Sequence, residues 1–328
     1  MIGEIMGSKG PTVSVIVSAH NRPEYLMEAL RSLEGQTAFL DEFEVIVVKD
    51  YEIDLSKIDT GNMTTTFIDI SDTDLVSKHI AGIEASHGDY IALMDDDDLF
   101  SSNKIKRILS LSQHMNRRSF YINGKQFFSN VLEDFSVLSS ISNSSFEIFG
   151  NTCFHSRRLN RYTPWYNLSS MTIGRDLAIK GVDIIRDFRR DIDALWYLIA
   201  LEFADKIIYD KSPLTFYRRH SGGLSRSNDN EKICNYAEQA LESYDRMTNI
   251  FKKKVTLDTL KVLRAEWQAK ARIVGCNKLY NDLGETTMIL LKSLINRSLK
   301  DVLKILMLLF ISQINTKISS DLYPKFYM

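Results

Sequence analysis

The sequence predicts an α/β fold in which a mostly parallel sheet is flanked by helices and followed by a helical C-terminal extension. Over about residues 11–110, short apolar runs rich in β-branched residues alternate with amphipathic helical patterns, and this alternation is typical of right-handed βαβ units. From about Glu231 onward the pattern is almost entirely helical. We therefore predict one domain over residues 1–228, with halves of about 11–110 and 111–228, and a helical region over residues 229–328.

The first half contains four predicted strands, each a short run dominated by apolar residues. They are Thr12–Ser18, Phe43–Val48, Thr65–Ile70 and Tyr90–Met94. Helices with one apolar stripe are predicted between and after them. Their predicted limits are Pro23 and Gly35 for the first helix, Gly88 for the end of the second, and a cap at Ser102 for the third.

The pattern is looser in the second half. Short strands are predicted at Ser119–Ile122 and Thr152–His155, and a strongly apolar helix is predicted over Asp193–Phe203. Two further short strands, Lys206–Asp210 and Leu214–Tyr217, lead into a glycine-containing loop. The polar stretch near Asn228 then predicts the boundary with the helical region.

Composition limits the classes of function. The chain has 328 residues, of which 44% are hydrophobic and 25% charged, as in ordinary globular proteins. The net charge of −1 hides an asymmetry, because residues 251–328 carry 14 Lys and Arg against 6 Asp and Glu. The main domain is therefore acidic and the tail basic. Since nucleic-acid phosphates need a basic surface, we expect no nucleic-acid partner.

Cysteine usage and hydropathy predict a cytoplasmic protein. Cys153, Cys234 and Cys276 are far apart and odd in number, which predicts reduced structural thiols. The N-terminal residues resemble no export signal, and the longest apolar run, Ile305–Ile311, is far shorter than the roughly 20 residues that span a bilayer. Packing on the main domain is the default role of basic helices such as Leu294–Ile314. They are also candidates for a homodimer contact or for peripheral binding at the inner face of the plasma membrane.

Four consecutive aspartates, residues 95–98, follow the strand Tyr90–Met94. Carboxylates packed this closely repel one another and raise each other's pKa values. A divalent cation removes this conflict, and oxygen ligands at the carboxyl end of a parallel strand suit Mg²⁺ or Mn²⁺. The alternative is a solvated acidic turn.

Other polar groups are ambiguous when each is taken alone. Asp50 follows the strand Phe43–Val48 and could accept a hydrogen bond from a base or ribose, although surface loops are rich in aspartate. Asp193 could act as a general base, but an acidic helix N-terminus is the commoner meaning of such a residue. Consecutive arginines can bind phosphate, and a histidine can bind a metal; the run Arg218, Arg219 and His220 could equally be solvated.

Together these segments resemble the inverting family 2 glycosyltransferases of the GT-A fold. The resemblance rests on VSVIVSAHNRPEYLMEALRSLEGQT, FEVIVVKD, GIEASHGDYIALMDDDDLF and SPLTFYRRHSGGLSR, and it covers roughly Pro11–Arg226. It implies that Ser18, Ala19, His20 and Arg22 surround the donor nucleotide. It also implies a metal-dependent hexosyltransferase that takes a nucleotide-diphospho-sugar, with a UDP-sugar as the expected donor.

The resemblance assigns further residues by position. Asp50 would recognise the base; Asp95 and Asp97 match the DxD pair that holds Mn²⁺ or Mg²⁺, with Asp96 beside the donor. The spacing to Pro213 favours Asp193 as the catalytic base and leaves Asp191 as the alternative. The remaining assignments are Lys78 and His79 at the phosphates, Arg218 and Arg219 at the diphosphate, and His220 at the metal.

The sequence also departs from the family pattern. Lys49, Asp50 and Tyr51 stand in a segment where the family usually has Asp-Asp-Gly-Ser, and Ile192 replaces an acidic neighbour of the base. A glycan or lipid-linked acceptor in surface polysaccharide assembly is the expected setting, and Trp165 and Tyr166 are candidates to stack on its sugar, although buried aromatics are the commoner reading. The competing hypotheses are a catalytically inactive relative that binds nucleotide or glycan and a metal-dependent phosphohydrolase.

Overall fold

The computed structural model describes residues 10–129, 145–150, 167–219, 229–276 and 286–289, together with Met307 and Phe310. These residues divide into two compact units that interleave along the chain. The sheet unit contains the described residues up to 150, residues 167–187 and residues 203–218. The helical unit contains residues 188–202 and the described residues from 219 onward. The predicted boundary near Asn228 lies outside the described residues.

The described part of the sheet unit contains one sheet, which confirms the predicted α/β class. Its strands are β1 (Val13–Ala19), β2 (Phe43–Lys49), β3 (Thr65–Asp69), β4 (Tyr90–Asp95), β5 (Leu99–Phe100), β6 (Ser119–Phe128), β7 (Phe146–Gly150), β8 (Met171–Gly174) and β9 (Lys206–Arg218). The strand order is β3-β2-β1-β4-β8-β6-β9-β5, and β7 pairs with β9.

The first four strands run parallel, as predicted. Every residue of β1 and β2 is buried, and apart from Ser14, Ser18, Glu44 and Lys49 these residues are apolar on both faces of the sheet. Val13 pairs with Phe43 on one side and with Tyr90 on the other, and Ser18 pairs with Val48 and Asp95. The carboxyl ends of β1, β2 and β4 therefore lie level at one edge of the sheet.

The second half of the sheet is mixed. β8 runs antiparallel to both β4 and β6, whereas β6 and β9 are parallel. The two short strands predicted at residues 206–217 form a single strand, β9, with a register shift opposite Gly124 that accommodates Pro213. Strands β5, β7 and β8 were not predicted, and the predicted strand Thr152–His155 lies outside the described residues.

Helices of the sheet unit pack apolar stripes onto the sheet. They are α1 (Pro23–Glu34), α2 (Leu75–Ala85), α3 (Lys104–Leu111) and the unpredicted α4 (Arg175–Ile185). Two predicted limits were wrong. Helix α2 ends at Ala85 rather than Gly88, and Asn103 rather than Ser102 occupies the N-cap of α3, where its side chain accepts no hydrogen bond from the first N–H groups of the helix.

The helical unit contains α5 (Ile192–Phe203, whose last residue falls in the sheet unit), α6 (Asn230–Ile250) and α7 (Lys254–Val274). Asp229 caps α6 by accepting hydrogen bonds from two backbone N–H groups. A disulfide joins Cys234 to Cys276, so the prediction of reduced thiols was wrong for this pair. The two cysteines are 42 residues apart, so their spacing in the sequence did not indicate a pair. They meet because α6 and α7 form a hairpin that brings the start of α6 close to the end of α7. Cys153 lies outside the described residues.

Membrane insertion finds no support in the helices described. None of them is both long enough and apolar enough to cross a bilayer. The predicted helix Leu294–Ile314 falls in a part of the chain of which only Met307 and Phe310 are described.

Substitution of Gly88 tests the packing that brings β4 beside β1. A Cβ atom at Gly88 would lie 2.7 Å from the backbone nitrogen of Ser14 and from the backbone carbon of Val13. Since backbone in a buried strand cannot move aside, we expect Gly88→Ala to lower the free energy of unfolding by about 1–3 kcal/mol. Urea denaturation measures this change. Gly35→Ala is the matched control, because its added Cβ would meet nothing closer than 3.5 Å; equal stability of the two variants would contradict this account.

Candidate functional site

Side chains at the carboxyl ends of three level strands form the candidate site. Ser18 and Ala19 end β1, Asp50 follows β2, and Asp95 ends β4. Ser18 and Ala19 are buried, and the Ser18 hydroxyl has no hydrogen-bond partner among the described residues. Ligands of open parallel sheets bind at this edge. The structure therefore brings these four sequence-predicted residues together.

Lys78 links two of the predicted nucleotide contacts. Its fully buried ammonium group donates to the Asp50 carboxylate at 2.9 Å and lies 2.7 Å from Nδ1 of His20. Burial, with Lys78 and Arg22 nearby, lowers the pKa of His20 to about 4, so the imidazole is neutral at pH 7 and Nδ1 accepts from the ammonium. Asp50 is thereby held in one orientation at the end of β2.

Arg22 bridges two members of the aspartate run. One terminal nitrogen donates to Asp96 and the other to Asp97, the latter at 2.5 Å. Asp96 is fully buried and also accepts from the backbone N–H of His20 at 2.6 Å. Burial raises its pKa to about 6 despite Arg22. The buried Asp96 side chain therefore connects the loop after β1 to the aspartate run.

Three carboxylates of the run could hold a metal ion. Asp95, Asp97 and Asp98 each offer an oxygen, and these oxygens lie within 4.8 Å of one another. Burial, followed by the neighbouring aspartates, raises the pKa of Asp95 well above its usual range, and burial together with Asp97 raises that of Asp98 to about 7. A hard divalent cation would relieve this repulsion, so the residues present fit Mn²⁺ or Mg²⁺.

Arg218 supports the aspartate run through hydrogen bonds from its buried side chain and its backbone. Its Nε donates to the Asp97 carbonyl at 2.8 Å, its backbone N–H donates to the Asp98 carboxylate at 3.0 Å, and a terminal nitrogen donates to Glu28 at 2.8 Å. The guanidinium also stacks 4.4 Å from the ring centroids of Tyr25 and Phe128. Sequence reasoning assigned Arg218 to the diphosphate, whereas the structure shows a guanidinium that is 1% exposed and engaged by the protein.

Sequence reasoning missed two small polar residues that support the run. Asn167 donates to the Asp98 carboxylate at 3.0 Å, and the Ser169 hydroxyl accepts from the backbone N–H of Asp95 at 3.0 Å. Both lie about 70 residues beyond the aspartates, at the short 3-10 helix Leu168–Ser170 that precedes β8, a strand that was not predicted. Nothing in the local pattern around them indicates a partner.

Of five further predicted residues, one is buried in the core, one belongs to the helical unit and three lie outside the described residues. His79 is 1% exposed, and burial lowers its pKa to about 3, so it is a neutral core residue. Arg219 is half-buried and belongs to the helical unit. His220, Trp165 and Tyr166 lie outside the described residues.

The two candidate bases both belong to the helical unit. Asp191 precedes α5, and its carboxylate accepts hydrogen bonds from Tyr236, Tyr244 and Trp267. Asp193 is half-buried in the first turn of α5, where one carboxylate oxygen accepts from the N–H of Ala194 at 2.8 Å. The structure thus gives Asp191 three side-chain donors from other helices.

Comparison with known proteins finds similarity to glycosyltransferases over part of the chain. Residues 14–163 match the family model described as glycosyl transferase family 2. An uncharacterized glycosyltransferase of Rickettsia bellii is 30% identical over 138 residues, which cover 41% of this chain and 19% of the relative. The putative glycosyltransferase EpsH of Bacillus subtilis is 32% identical over 104 residues, covering 30% of each protein. The chain therefore matches less than a third of the length of either relative.

Solved structures share the fold at low sequence identity. TarS 1–349 of S. aureus in complex with UDP-GlcNAc has a TM-score of 0.51 at 13% identity, over 96% of this chain and 92% of that one. The mannosyltransferase PcManGT of Pyrobaculum calidifontis, in complex with GDP-Man and Mn²⁺, has a TM-score of 0.55 at 12% identity, over 94% and 87%. These likenesses confirm the GT-A fold.

Removal of Arg218 tests its role as a buried support. We expect Arg218→Met to lower the free energy of unfolding by about 3–5 kcal/mol, because it leaves Glu28 buried without its cation. Arg117→Met is the control, since Arg117 pairs with Asp89 and Asp176 on the surface and such pairs contribute at most about 1 kcal/mol each. Urea denaturation of both variants provides the measurement. A loss for Arg218→Met no greater than that for the control would show that the buried network is dispensable.

Proposed function

We propose that this chain, whose residues 14–163 match the family model described as glycosyl transferase family 2, transfers a sugar from a nucleotide-diphospho-sugar to an acceptor hydroxyl. The observation that carries the proposal is the cluster of Asp95, Asp97 and Asp98 at the same sheet edge as Asp50. The aspartate cluster suits a cation that binds diphosphate, and Asp50 suits a nucleoside. A donor in which a diphosphate joins a nucleoside to a sugar fits both.

For the nucleoside we propose Asp50 as the recognition residue and a UDP-sugar as the donor. The buried Lys78 and the neutral His20 hold the Asp50 carboxylate in place, so its free lone pairs are oriented before a ligand arrives. The TarS structure contains UDP-GlcNAc and the mannosyltransferase structure contains GDP-Man, so both nucleotides occur on this fold.

For the metal we propose Mn²⁺ or Mg²⁺ held by Asp95 and Asp97. Asp98 lies within reach of the same ion, and the sequence-predicted ligand His220 stays a prediction. The ion would neutralise the charge that develops on the departing diphosphate. Arg22, which contacts Asp97, places a further positive charge at this edge.

For the chemical step we propose a single displacement that inverts the anomeric carbon. The acceptor oxygen forms a bond to this carbon while the bond to the diphosphate oxygen breaks, and the nucleoside diphosphate leaves with the bonding electrons. Asp193 takes the acceptor proton. We favour Asp193 over Asp191 because three side-chain donors already occupy the Asp191 carboxylate.

The proposed setting is surface polysaccharide or glycan synthesis on the cytoplasmic side, with a glycan or lipid-linked acceptor. Peripheral membrane binding and homodimer formation through the C-terminal helices belong to the same proposal. Trp165 and Tyr166 remain predicted acceptor contacts.

Nucleotide binding tests the donor site. We expect calorimetry to show that UDP binds more tightly than GDP or CDP when Mn²⁺ is present, and that EDTA or Asp97→Asn weakens binding at least tenfold. Mn²⁺ must displace protons from carboxyls whose pKa values are raised, so its affinity should fall as the pH drops from 8 to 6. Asp89→Asn, on the exposed surface, is the control.

Other results would redirect the assignment. Tight binding of GDP in place of UDP would retain the transferase and change the donor base. Failure of every nucleotide to bind, with and without Mn²⁺, would remove the transferase proposal. Metal-dependent release of phosphate from simple phosphoesters would then favour the phosphohydrolase hypothesis.

Replacement of Asp193 tests the base. We expect Asp193→Asn to bind UDP and Mn²⁺ normally and to lose turnover by about 10²–10⁴-fold, because the acceptor proton then has no base. Release of nucleoside diphosphate from the selected donor measures turnover. Asp187→Asn, in the segment before α5, serves as the matched carboxylate control. Normal turnover by Asp193→Asn would exclude Asp193 as the base, whereas loss of nucleotide binding together with turnover would indicate a structural role.

A further inference from the structure

The Asp191 carboxylate lies among three helices of the helical unit. The hydroxyl of Tyr236 donates to Oδ1 at 2.7 Å, and the hydroxyl of Tyr244 and Nε1 of Trp267 each donate to Oδ2 at 2.5 Å. Tyr236 and Tyr244 belong to α6 and Trp267 to α7. Hydrogen bonds to a charged acceptor are the stronger class. One carboxylate therefore connects the segment before α5 to both C-terminal helices.

The backbone of Asp191 is fixed in the same place. Its carbonyl accepts the first hydrogen bond of α5, from the N–H of Leu195 at 2.9 Å, and its own N–H donates to the Tyr236 hydroxyl at 3.2 Å. Its φ of 53° lies in the left-handed region, which Asp and Asn tolerate better than most residues do. Asp191 is therefore the N-cap of α5, and side-chain and backbone contacts together determine where this helix begins.

Aromatic stacking and a cation–π contact reinforce the hydrogen bonds to Asp191. Tyr236 and Trp267 stack with ring centroids 4.9 Å apart, and the Arg190 guanidinium lies 5.3 Å from the centre of the Tyr236 ring. Arg190 also donates to Gln239 of α6 at 2.6 Å. These contacts hold the donors of Asp191 in fixed orientations. We call Asp191, Tyr236, Tyr244 and Trp267 the aspartate clamp.

We propose that Asp191 is a positioning residue and that the aspartate clamp makes α6 and α7 part of the catalytic apparatus. Asp193 lies two residues after Asp191, in the first turn of α5, so its location depends on where the clamp begins that helix. This inference rests on the proposed role of Asp193 as the base. A general base must lie within hydrogen-bond reach of the proton it removes, and displacement of reacting groups by about 1 Å can cost roughly 100-fold in rate.

Asp191→Asn in the full-length chain tests the clamp. Asn tolerates the left-handed backbone, so this substitution removes the charge and places an NH₂ group among three donors without adding strain. Trp267→Phe removes one donor and retains the stacked ring. The control is Asp245→Asn, which breaks the exposed Asp245–Arg264 pair between α6 and α7 and leaves Asp191 untouched.

Two measurements separate an effect on the position of α5 from an effect on the chemical step. Hydrogen exchange at the Leu195 amide reports whether the first turn of α5 is held in place, independently of catalysis. The second measurement is turnover of UDP-GlcNAc or GDP-Man, whichever donor binds. It is expressed per active site, with the number of sites obtained from a calorimetric titration with UDP or GDP. We expect Asp191→Asn to accelerate Leu195 exchange and to lower kcat by about 10–100-fold with an unchanged donor KM. Trp267→Phe should give a smaller change of the same kind, and the double variant should lose no more than Asp191→Asn alone.

The opposite outcomes are equally specific. Unchanged Leu195 exchange in both Asp191→Asn and Trp267→Phe, or faster exchange with normal kcat, would overturn the inference. Loss of turnover as deep as that of Asp193→Asn, with normal Leu195 exchange, would identify Asp191 as the base and overturn its positioning role. If the unmodified chain binds nucleotide but turns over neither donor, the proposed function fails, and Leu195 exchange alone decides whether the clamp holds α5.

Discussion

Four consecutive carboxylates at the end of a buried strand impose the constraint on which the rest of the sheet unit depends. Their exposure alternates, because Asp95 and Asp97 are half-buried whereas Asp96 and Asp98 are buried. A buried carboxylate needs partners, since desolvation of an isolated charge is very costly. Asp96 has Arg22 and a backbone N–H, and Asp98 has Asn167 and the N–H of Arg218. The loop after β1, the segment before β8 and the end of β9 thus all contact one turn.

This difference in burial explains how four adjacent carboxylates can form a ligand site and still be held in place. The buried members carry structural hydrogen bonds, and the half-buried pair, Asp95 and Asp97, is left closest to the solvent edge. Arg218 supports the arrangement without facing a ligand, because its guanidinium is enclosed by Glu28 and two aromatic rings. Burial first, and the neighbouring aspartates second, raise the pKa values of Asp95 and Asp98, so part of the repulsion among the carboxyls remains. Proposed cation binding uses that stored repulsion.

The sequence predicted what depends on local pattern and missed what depends on distant partners. β1 and β2 were found because strands buried on both faces are continuously apolar, whereas β8 is only four residues long and β9 looked divided because Pro213 lies at a register shift. The aspartates were conspicuous as a run. Their supports were not, because Arg218 and Glu28 are 190 residues apart and the motif around Arg218 indicated a diphosphate contact rather than a buried partner. The Cys234–Cys276 disulfide was missed for the same reason.

The choice between Asp191 and Asp193 shows how three-dimensional context separates residues that are equivalent in a motif. In the sequence both are acidic groups at the start of an apolar helix, and spacing alone favours one weakly. In the structure the Asp191 carboxylate accepts donors from α6 and α7, and its carbonyl begins α5. The contacts that lead us to propose a positioning role for Asp191 also connect the C-terminal helices to the start of α5, where Asp193, the proposed base, lies.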